Sequence, residues 1–187
     1  MIKICTYGNP VLRAKALPVA KFDAGLEKMA ENMIELMTIK NGVGLAAQQI
    51  GKTVRIFVMH VPPQYDLDQP GGKRLNPDIN GPLVLINPVL RGRAGAKSEK
   101  EGCLSIPGIF SAVHRAYEVS VSFDDLRGKE RQIQARGLMA RVIQHEIDHL
   151  DGILFVDRIP AIKKITLSAR LKRLKNESGR ETSTGSS

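Results

Sequence analysis

The motif His145-Glu-Ile-Asp-His149 constrains this chain more than any other stretch, because it predicts both a helix and a type of chemistry. Two histidines four residues apart lie on one face of a helix, close enough for both rings to bind one metal ion. Glu146 would then stand beside the remaining coordination position. Apolar residues at helical spacing surround the motif, and Gly152 follows where the helix would end. The alternative is a surface helix whose two histidines titrate.

Cys103 is the residue that would complete this metal site. It stands 42 residues before His145, in a chain with one other cysteine. We expect no secretory leader, so a disulfide framework is not indicated. One thiolate and two imidazoles leave a fourth position for water, which is typical of a catalytic metal and not of a structural one. The rival interpretation makes Cys103 a nucleophile activated by a histidine, but it leaves the histidine pair and Glu146 unexplained.

Length and composition favour one globular domain. The chain has 187 residues, of which 42% are hydrophobic, and this is enough for a core without disulfides. No apolar run reaches the ~20 residues of a membrane span, so we expect no membrane partner and a cytoplasmic location of the bacterial type. The mature form of an organellar protein, with its transit peptide removed, would look the same. The formal net charge of +9 favours a polyanionic partner.

Much of this positive charge lies at the C-terminus. From residue 163 to residue 187 there are seven Lys or Arg and two Glu, so the segment contributes +5 of the +9. Apolar spacing predicts a basic helix from Ala161 to about Lys175, and the polar end from Gly179 is predicted to be disordered. We therefore divide the chain into a catalytic domain, 1–162, and a basic helix with a disordered tail, 163–187. A solvated helix packed on the domain and a nucleic-acid contact are both compatible with this pattern.

The remaining elements are predicted to be one helix and several short strands. Asp23 would cap a helix over residues 24–40, whose apolar face carries methionines. Strands are predicted over 55–59, over 83–87 with Pro88 ending the strand, and over 118–123 and 130–135 as a hairpin. Residues 60–82 hold five of the ten prolines and are interpreted as a surface insertion. The predicted fold is α+β, a single domain with short antiparallel sheets around the metal-binding helix and a helix near each end.

Three separated motifs resemble, in order and spacing, the signature motifs of the peptide deformylases. They are Gly42-Val-Gly-Leu-Ala-Ala-Gln-Gln49, Glu101-Gly-Cys-Leu-Ser105 and His145-Glu-Ile-Asp-His149, and the similarity extends from Gly8 to about Arg158. The resemblance implies hydrolysis of the N-formyl group from the initiator formyl-methionine of newly made polypeptides, with release of formate. Formyl-Met nascent peptides would then be the substrates.

The resemblance also implies a role for each matching residue. Cys103, His145 and His149 would bind the metal, and Glu146 would be the general base and acid. The side-chain amide of Gln49 and the backbone N–H of Leu104 would stabilise the oxyanion. The native ion would be Fe²⁺, and this ligand set also suits Zn²⁺, Ni²⁺ and Co²⁺. The substrate would lie like an added strand against a set of matching positions, which are Val43, Gly44, Glu101, Gly102 and Val142.

One position departs from the family pattern, because Arg141 stands where an apolar residue is expected. Either its aliphatic stem lies along the substrate slot with the charged head in water, or the slot has another shape. Arg115 is expected to pair with Glu101 and hold the cysteine loop, and the alternative is an arginine at the surface.

Two other classes of protein share features with this chain. A metallopeptidase with the His-Glu-x-x-His motif would take a third ligand downstream of the helix, and no suitable residue stands there. A nucleic-acid-binding or ribosome-binding module would explain the charge, but 4% aromatic residues argue against single-strand recognition, and no specific DNA partner is expected. Both features are combined if the basic C-terminal tail docks a deformylase on the polyanionic ribosome.

Overall fold

Three α-helices and seven β-strands make up the chain in the computed structural model, which describes residues 2–184 and the side chains of residues 2–179. The helices are α1 (Ala24–Ile39), α2 (Gly137–Leu150) and α3 (Ala161–Thr184). The strands are β1 (Gly44–Ala46), β2 (Ile56–Met59), β3 (Leu83–Ala94), β4 (Lys97–Cys103), β5 (Ile106–Arg115), β6 (Glu118–Asp124) and β7 (Glu130–Arg136).

The central sheet has five antiparallel strands in the order β1-β2-β3-β6-β7. Successive side chains of a strand point to opposite faces of the sheet. In β2, Phe57 and Met59 pack in the cluster that contains α2, whereas Ile56 and Val58 pack in the cluster that contains α1. The sheet therefore lies between two helices, and β2 is apolar at every position for this reason.

Strands β4 and β5 form a separate two-stranded sheet that carries Cys103 at its turn, opposite Ile106. Apolar residues of β5 pack against Phe155 and against Leu171 of α3 in a third cluster. Helix α3 thus covers the outer side of the hairpin, and β4 keeps one edge without a strand partner among the described residues. None of the described helices is long and apolar enough to cross a membrane.

The predicted α+β fold with short antiparallel sheets and a helix near each end is confirmed. The carboxylate of Asp23 accepts a hydrogen bond from the backbone N–H of Leu26 and so caps α1 as predicted. The hairpin of β6 and β7 and the histidine-bearing helix are also where the sequence patterns predict them.

The prediction that Pro88 ends a strand is wrong, because β3 continues to Ala94. The strand changes partner at this point: residues up to Ile86 pair with β2, and residues from Ile86 onward pair with β6. The register shifts between Ile86 and Val89, and Asn87 adopts a φ of 51°. This bulge accommodates a proline that has no N–H to donate.

Three further elements differ from the expectation: two strands that the sequence patterns do not predict, and a helix that is longer than predicted. Strands β4 and β5 were not predicted, because the sequence of β4, Lys-Ser-Glu-Lys-Glu-Gly-Cys, lacks alternating apolar residues. Helix α3 begins at Ala161 as predicted but continues to Thr184, past Gly179 where disorder is predicted to begin. Residues 185–187 of that tail lie outside the described residues, and the division at residue 162 stays a prediction.

Candidate metal centre

Helix α2 is buried along most of its length, and this sets the environment of the histidine motif. Every residue from Met139 to Leu150 is buried. The exposed fractions of His145, Glu146 and His149 are 8%, 3% and 1%. The alternative of a surface helix with two titrating histidines is therefore wrong, and polar side chains in such a place need partners.

The two histidines and Cys103 form a group of three potential metal ligands. Their ligand atoms all lie within 4.8 Å of one another, and this is the one such group of His, Cys, Asp and Glu found among the described residues. The Sγ of Cys103 lies 3.2 Å from the Nε2 of His149. The centroids of the two imidazole rings are 5.0 Å apart. The turn between β4 and β5 thus brings a thiol to the helix face that carries both rings.

This group fits a divalent metal ion. The Nδ1 of His145 lies 3.1 Å from the carboxylate of Glu101, which orients the ring and leaves Nε2 for the metal. Burial lowers the pKa of His149 well below its usual value, which favours the neutral imidazole that a metal requires. One sulfur and two nitrogen donors are a ligand set of catalytic sites with an open position.

Glu146 stands next to this group with one oxygen unsatisfied. Its Oε2 is buried and has no hydrogen-bond partner among the described residues. Burial raises the pKa of its carboxyl group to about 7. A Cβ on Gly44 would lie 2.3 Å from Oε1 of Glu146 and 2.8 Å from a methyl carbon of Val142. The glycine therefore makes room for the carboxylate of Glu146.

The side chain of Gln49 is held in one orientation. Its Oε1 accepts a hydrogen bond of 2.8 Å from the backbone N–H of Ala46. The amide nitrogen therefore points the other way, 3.5 Å from Sγ of Cys103 and 3.3 Å from Oγ of Ser105. This N–H₂ group and the turn at Leu104 stand beside the potential metal ligands, as the family motif implies.

A network of buried charges holds the hairpin against α2. Arg115 donates two hydrogen bonds to Glu101, at 2.7 and 3.0 Å, and a third to Asp148 on α2 at 2.7 Å. Burial by itself would raise the pKa of Glu101, but its hydrogen bonds with His145 and Arg115 lower that pKa to about 2. The predicted pair of Arg115 with Glu101 is confirmed. The carboxylate of Glu101 is thus held as an anion next to the ring of His145.

The guanidinium of Arg141 is buried. The alternative in which the stem of Arg141 lies along the substrate slot with its charged head in water is therefore wrong. Its side chain is 7% exposed. The guanidinium donates to the carboxylate of Glu101 at 3.0 Å and to the backbone oxygens of Val113 and Lys97 at 3.2 and 3.3 Å. Because β4 and β5 supply these acceptors, the arginine ties the hairpin to α2 and also forms part of the cleft wall.

A cleft of about 450 Å³ lies beside α2, and most of the predicted site residues line it. One wall is β1 with the turn before it, and the opposite wall is β4 with the start of β5. Ten of the predicted residues line it, namely Val43, Gly44, Gln49, Glu101, Gly102, Cys103, Leu104, Val142, His145 and Glu146. His149 is the predicted residue that lies behind the wall.

Several residues of the site are not predicted by the sequence patterns. Ser105 lies in the cysteine motif, but its contact with Gln49 depends on how two distant segments meet. Asp148 and Arg158 form an ion pair at 2.6 Å that continues the network around Arg115. The sequence did offer a signal for this network, because charged residues stand among the apolar positions of α2 and buried charges need partners. Lys100 and Phe110, at the mouth of the cleft, left no such signal.

Comparison with known proteins agrees with this geometry. The family model of polypeptide deformylases matches residues 1–165. A peptide deformylase of Thermus thermophilus is 46% identical over 162 residues, which cover 84% of this chain and 82% of that protein. A crystal structure of peptide deformylase from Thermus thermophilus has a TM-score of 0.81 at 41% identity, covering 95% and 99% of the two chains. That of peptide deformylase 1B from Arabidopsis thaliana has a TM-score of 0.83 at 32% identity, covering 97% and 94%.

Proposed function

The chain belongs to the peptide deformylase family, and on that premise we propose how its own residues remove the N-formyl group from new polypeptides. The observation that carries the proposal is a group of three potential metal ligands next to the unsatisfied Oε2 of Glu146, in a cleft that Cys103, His145 and Glu146 line. The rival role of Cys103 as a nucleophile leaves these other groups without a function.

Cys103, His145 and His149 would hold the metal ion. A divalent ion in such a site polarises a carbonyl oxygen and lowers the pKa of water toward neutrality. The thiolate is a soft ligand, so Fe²⁺, Zn²⁺, Ni²⁺ and Co²⁺ all suit the site, and we propose Fe²⁺ as the native ion from the family resemblance. Glu101 and the two arginines bonded to it would keep the ring of His145 in its ligating orientation.

Glu146 would carry the protons of the reaction. Its carboxylate takes a proton from the water that attacks the formyl carbon and later delivers it to the departing amine. The buried Oε2 of Glu146, which has no hydrogen-bond partner among the described residues, suits both steps, since it can take up or give a proton without breaking an existing hydrogen bond. Gln49 and the backbone N–H of Leu104 would donate to the oxygen on which negative charge collects.

The two open strand edges of the cleft would align the peptide. Strand β1 pairs on one side with β2, and β4 pairs on one side with β5. An extended peptide between them can add main-chain hydrogen bonds to Gly44 and Gly102. Val43 and Val142 supply apolar surface for the methionine side chain. Glu101 belongs to this wall, although its carboxylate is turned toward the arginines.

Formate release from a formyl-Met peptide tests this assignment. Wild-type protein prepared anaerobically with Fe²⁺ is expected to turn over, and Glu146→Ala is expected to lose about 10²–10⁴-fold in kcat while its metal content stays unchanged. Glu35→Ala, at an exposed position of α1, is the matched control and should keep full activity. Full activity of Glu146→Ala with bound metal would show that the reaction does not need the carboxylate of Glu146.

The basic surface of α3 is proposed to dock the enzyme on the ribosome, where formylated chains emerge. Support comes from the net charge of +9 and from exposed lysines on this helix, such as Lys163 and Lys172. The reaction would then take place in a bacterial-type cytoplasm or inside an organelle that makes formylated chains.

Charge reversal is a cleaner test of this docking than deletion, because Leu171 of the same helix is buried in the core. The double variant Lys163→Glu, Lys172→Glu is expected to co-sediment less with ribosomes, with a flatter dependence on salt. The control reverses the exposed Lys52 and Lys129, which lie outside α3. Equal co-sedimentation of both variants would contradict the docking proposal.

A further inference from the structure

The carboxylate of Glu101 is surrounded by nitrogen atoms of three side chains. Arg115 donates to both of its oxygens, from Nε to Oε1 at 2.7 Å and from Nη2 to Oε2 at 3.0 Å. Arg141 adds a hydrogen bond of 3.0 Å from Nη1 to Oε1, and the Nδ1 of His145 lies 3.1 Å from Oε2. A carboxylate has about four lone-pair positions, so its capacity to accept hydrogen bonds is filled here.

The two arginines on Glu101 contribute in different ways. Arg115 binds both oxygens, and such a two-point contact fixes the plane of the carboxylate. Arg141 reaches a single oxygen, which Arg115 already holds. Arg115 by itself can therefore keep Glu101 in position, and what Arg141 adds to the carboxylate is mainly a second positive charge.

The ion pairs next to His145 form a network with more positive than negative charge. Its cations are Arg115, Arg141 and Arg158, and its anions are Glu101 and Asp148, joined by contacts of 2.6 to 3.0 Å. Three guanidinium groups against two carboxylates leave an excess of one positive charge. The side chain of Arg158 is 46% exposed, whereas those of Arg115 and Arg141 are 4% and 7% exposed. Water therefore screens the two arginines on Glu101 poorly.

Glu99 does not cancel the charge of Arg141. Its carboxylate lies 3.3 Å from Nη2 of Arg141, but it also pairs with Lys97, and its side chain is 38% exposed. Ion pairs at such exposed positions are weakened by water and salt. The remaining acceptors of Arg141 are backbone oxygens of the β4–β5 hairpin, which carry no net charge.

Charge on Glu101 reaches a metal ion through the ring of His145. A carboxylate that accepts the N–H of a metal-bound imidazole makes the ring a stronger donor and the metal more tightly bound. A cation bonded to that carboxylate has the opposite effect, because it draws charge away from the ring. Arg141 also lies one helical turn before His145 on the same face of α2. Its charge therefore disfavours a divalent cation and leaves a bound ion more strongly polarising.

We propose that Arg141 acts on the metal centre through Glu101 and His145, lowering the affinity of the site for its ion and making the bound ion more strongly polarising. The inference rests on the proposed function and deepens it, because it gives a role in the reaction to the arginine that stands where an apolar residue is expected.

A purely structural role of Arg141 predicts the opposite change in metal affinity. If the residue only tied the hairpin to α2, its loss would loosen the ligand group and weaken metal binding. If it acts through its charge, its loss tightens metal binding. The sign of the change separates the two roles, and it is measured without turnover.

The affinity for Zn²⁺ is measured by competition between the protein and a chelator of known affinity. Arg141→Met is expected to bind Zn²⁺ about ten-fold more tightly than wild type, because changes beside a metal-bound histidine typically alter affinity by about 10–100-fold. Arg141→Lys keeps the positive charge and is expected to bind Zn²⁺ like wild type. Arg131→Met, which removes an arginine of an exposed ion pair, is the matched control and should leave the affinity unchanged.

Arg115→Met removes a positive charge from the same carboxylate but is expected to change the affinity in the other direction. Glu101 then loses its two-point contact, so Zn²⁺ binding should weaken by about 10–100-fold. Thermal melting shows whether each variant is folded. The thiolate charge-transfer absorption of the Co²⁺-loaded protein shows whether Cys103 remains a ligand.

Turnover provides the second measurement. With the metal site saturated, Arg141→Met is expected to hydrolyse a formyl-Met peptide with a lower kcat than wild type, and an unchanged or higher kcat would overturn the polarising effect. Unchanged or weaker Zn²⁺ binding by folded Arg141→Met, or tighter binding by Arg141→Lys, would overturn the charge effect of Arg141. Failure of the metal-loaded wild type to turn over any formyl peptide would overturn the proposed function, and the Zn²⁺ affinities would still decide the effect of Arg141 on metal binding.

Discussion

Single residues of this site are constrained by close contacts and by buried charge. Gly44 has no room for a side chain, because the carboxylate of Glu146 occupies that space. Arg141 is buried and has four acceptors, three of them from the β4–β5 hairpin backbone and one from Glu101. In both cases the residue fixes where a neighbouring functional group stands.

Replacing Gly44 by alanine is expected to lower kcat/KM by about 100-fold or more, because the added methyl group must displace the carboxylate of Glu146. Overpacking is also expected to cost about 1–3 kcal/mol of unfolding free energy. Steady-state kinetics and thermal melting check both effects. Gly92→Ala is the control, since a Cβ there would meet Ser120 at an ordinary 3.7 Å. Unchanged activity in Gly44→Ala would show that Glu146 can move without loss.

Replacing Arg141 by methionine is expected to cost about 2–3 kcal/mol of unfolding free energy. The stem volume is kept, but three backbone oxygens and the carboxylates of Glu99 and Glu101 lose a partner. Urea unfolding measures the change. Arg131→Met, which removes an arginine of an exposed ion pair, should leave the unfolding free energy nearly unchanged. A similar small change in both variants would mean that water replaces the lost hydrogen bonds of Arg141.

At the scale of elements, the insertion between β2 and β3 is hydrogen-bonded to the residue that precedes the metal-binding helix. The residue before α2, Arg136, has no side-chain cap of its own. Asn76 of the insertion accepts a hydrogen bond of 2.8 Å from the N–H of Arg136 and donates one of 3.2 Å to its oxygen. Its amide also donates to the buried carboxylate of Asp66, and Arg74 bonds that carboxylate from the other side. The insertion is therefore a brace for the helix that carries the histidines.

Asn76→Ala is expected to lower the free energy of unfolding by about 1–2 kcal/mol, because the backbone of Arg136 loses two hydrogen bonds and a buried carboxylate loses a donor. Chemical denaturation followed by circular dichroism provides the number. Asn80→Ala, at an exposed position of the same insertion, serves as control and should cost much less. Equal stability of both variants would show that the insertion does not support α2.

Sequence patterns predicted the elements with a strong local signal, and they failed where pairing decides the structure. Helix α1, with its cap and apolar face, and the β6–β7 hairpin follow from periodicity. The sequence of β4 has no alternating apolar residues, so periodicity does not predict this strand. It forms by pairing with β5. The extension of β3 past Pro88 depends on β6, which lies about 30 residues further along the chain.

At the scale of the whole molecule, the start of the chain is tied to the segment that follows α2. Arg13 forms an ion pair with Asp157, which also bonds the N–H of Leu154 and Lys164 of α3. Burial tends to raise the pKa of Asp157, but its hydrogen bonds, first that from Arg13, lower it below its usual value. Arg13, Leu154 and α3 are thus held together by one ionised carboxylate.

The contribution of Asp157 to stability is expected to depend on pH. A carboxyl group whose pKa is lowered on folding stabilises the fold above its unfolded pKa of about 3.9, and this contribution disappears as the pH falls through the folded pKa. Asp157→Asn should therefore be less stable than wild type near pH 6, by up to about 1 kcal/mol, and the difference should shrink below about pH 4. Urea unfolding at several pH values measures it, with the exposed Asp78→Asn as control. A constant difference across this range would contradict an ionic origin.

The sequence by itself determined the chemistry of this protein, because His145, Glu146 and His149 lie within one helical turn and their mutual geometry is local. Cys103 and Gln49 followed from motifs whose meaning does not depend on seeing the fold. Apart from the pair of Arg115 with Glu101, the tertiary structure alone decided the partners of the buried polar groups, since Arg141, Arg115 and Asn76 bond to segments far away in the chain. Desolvation makes such charges pair, but it does not specify with which residue, and that depends on how the hairpin and the insertion dock against α2.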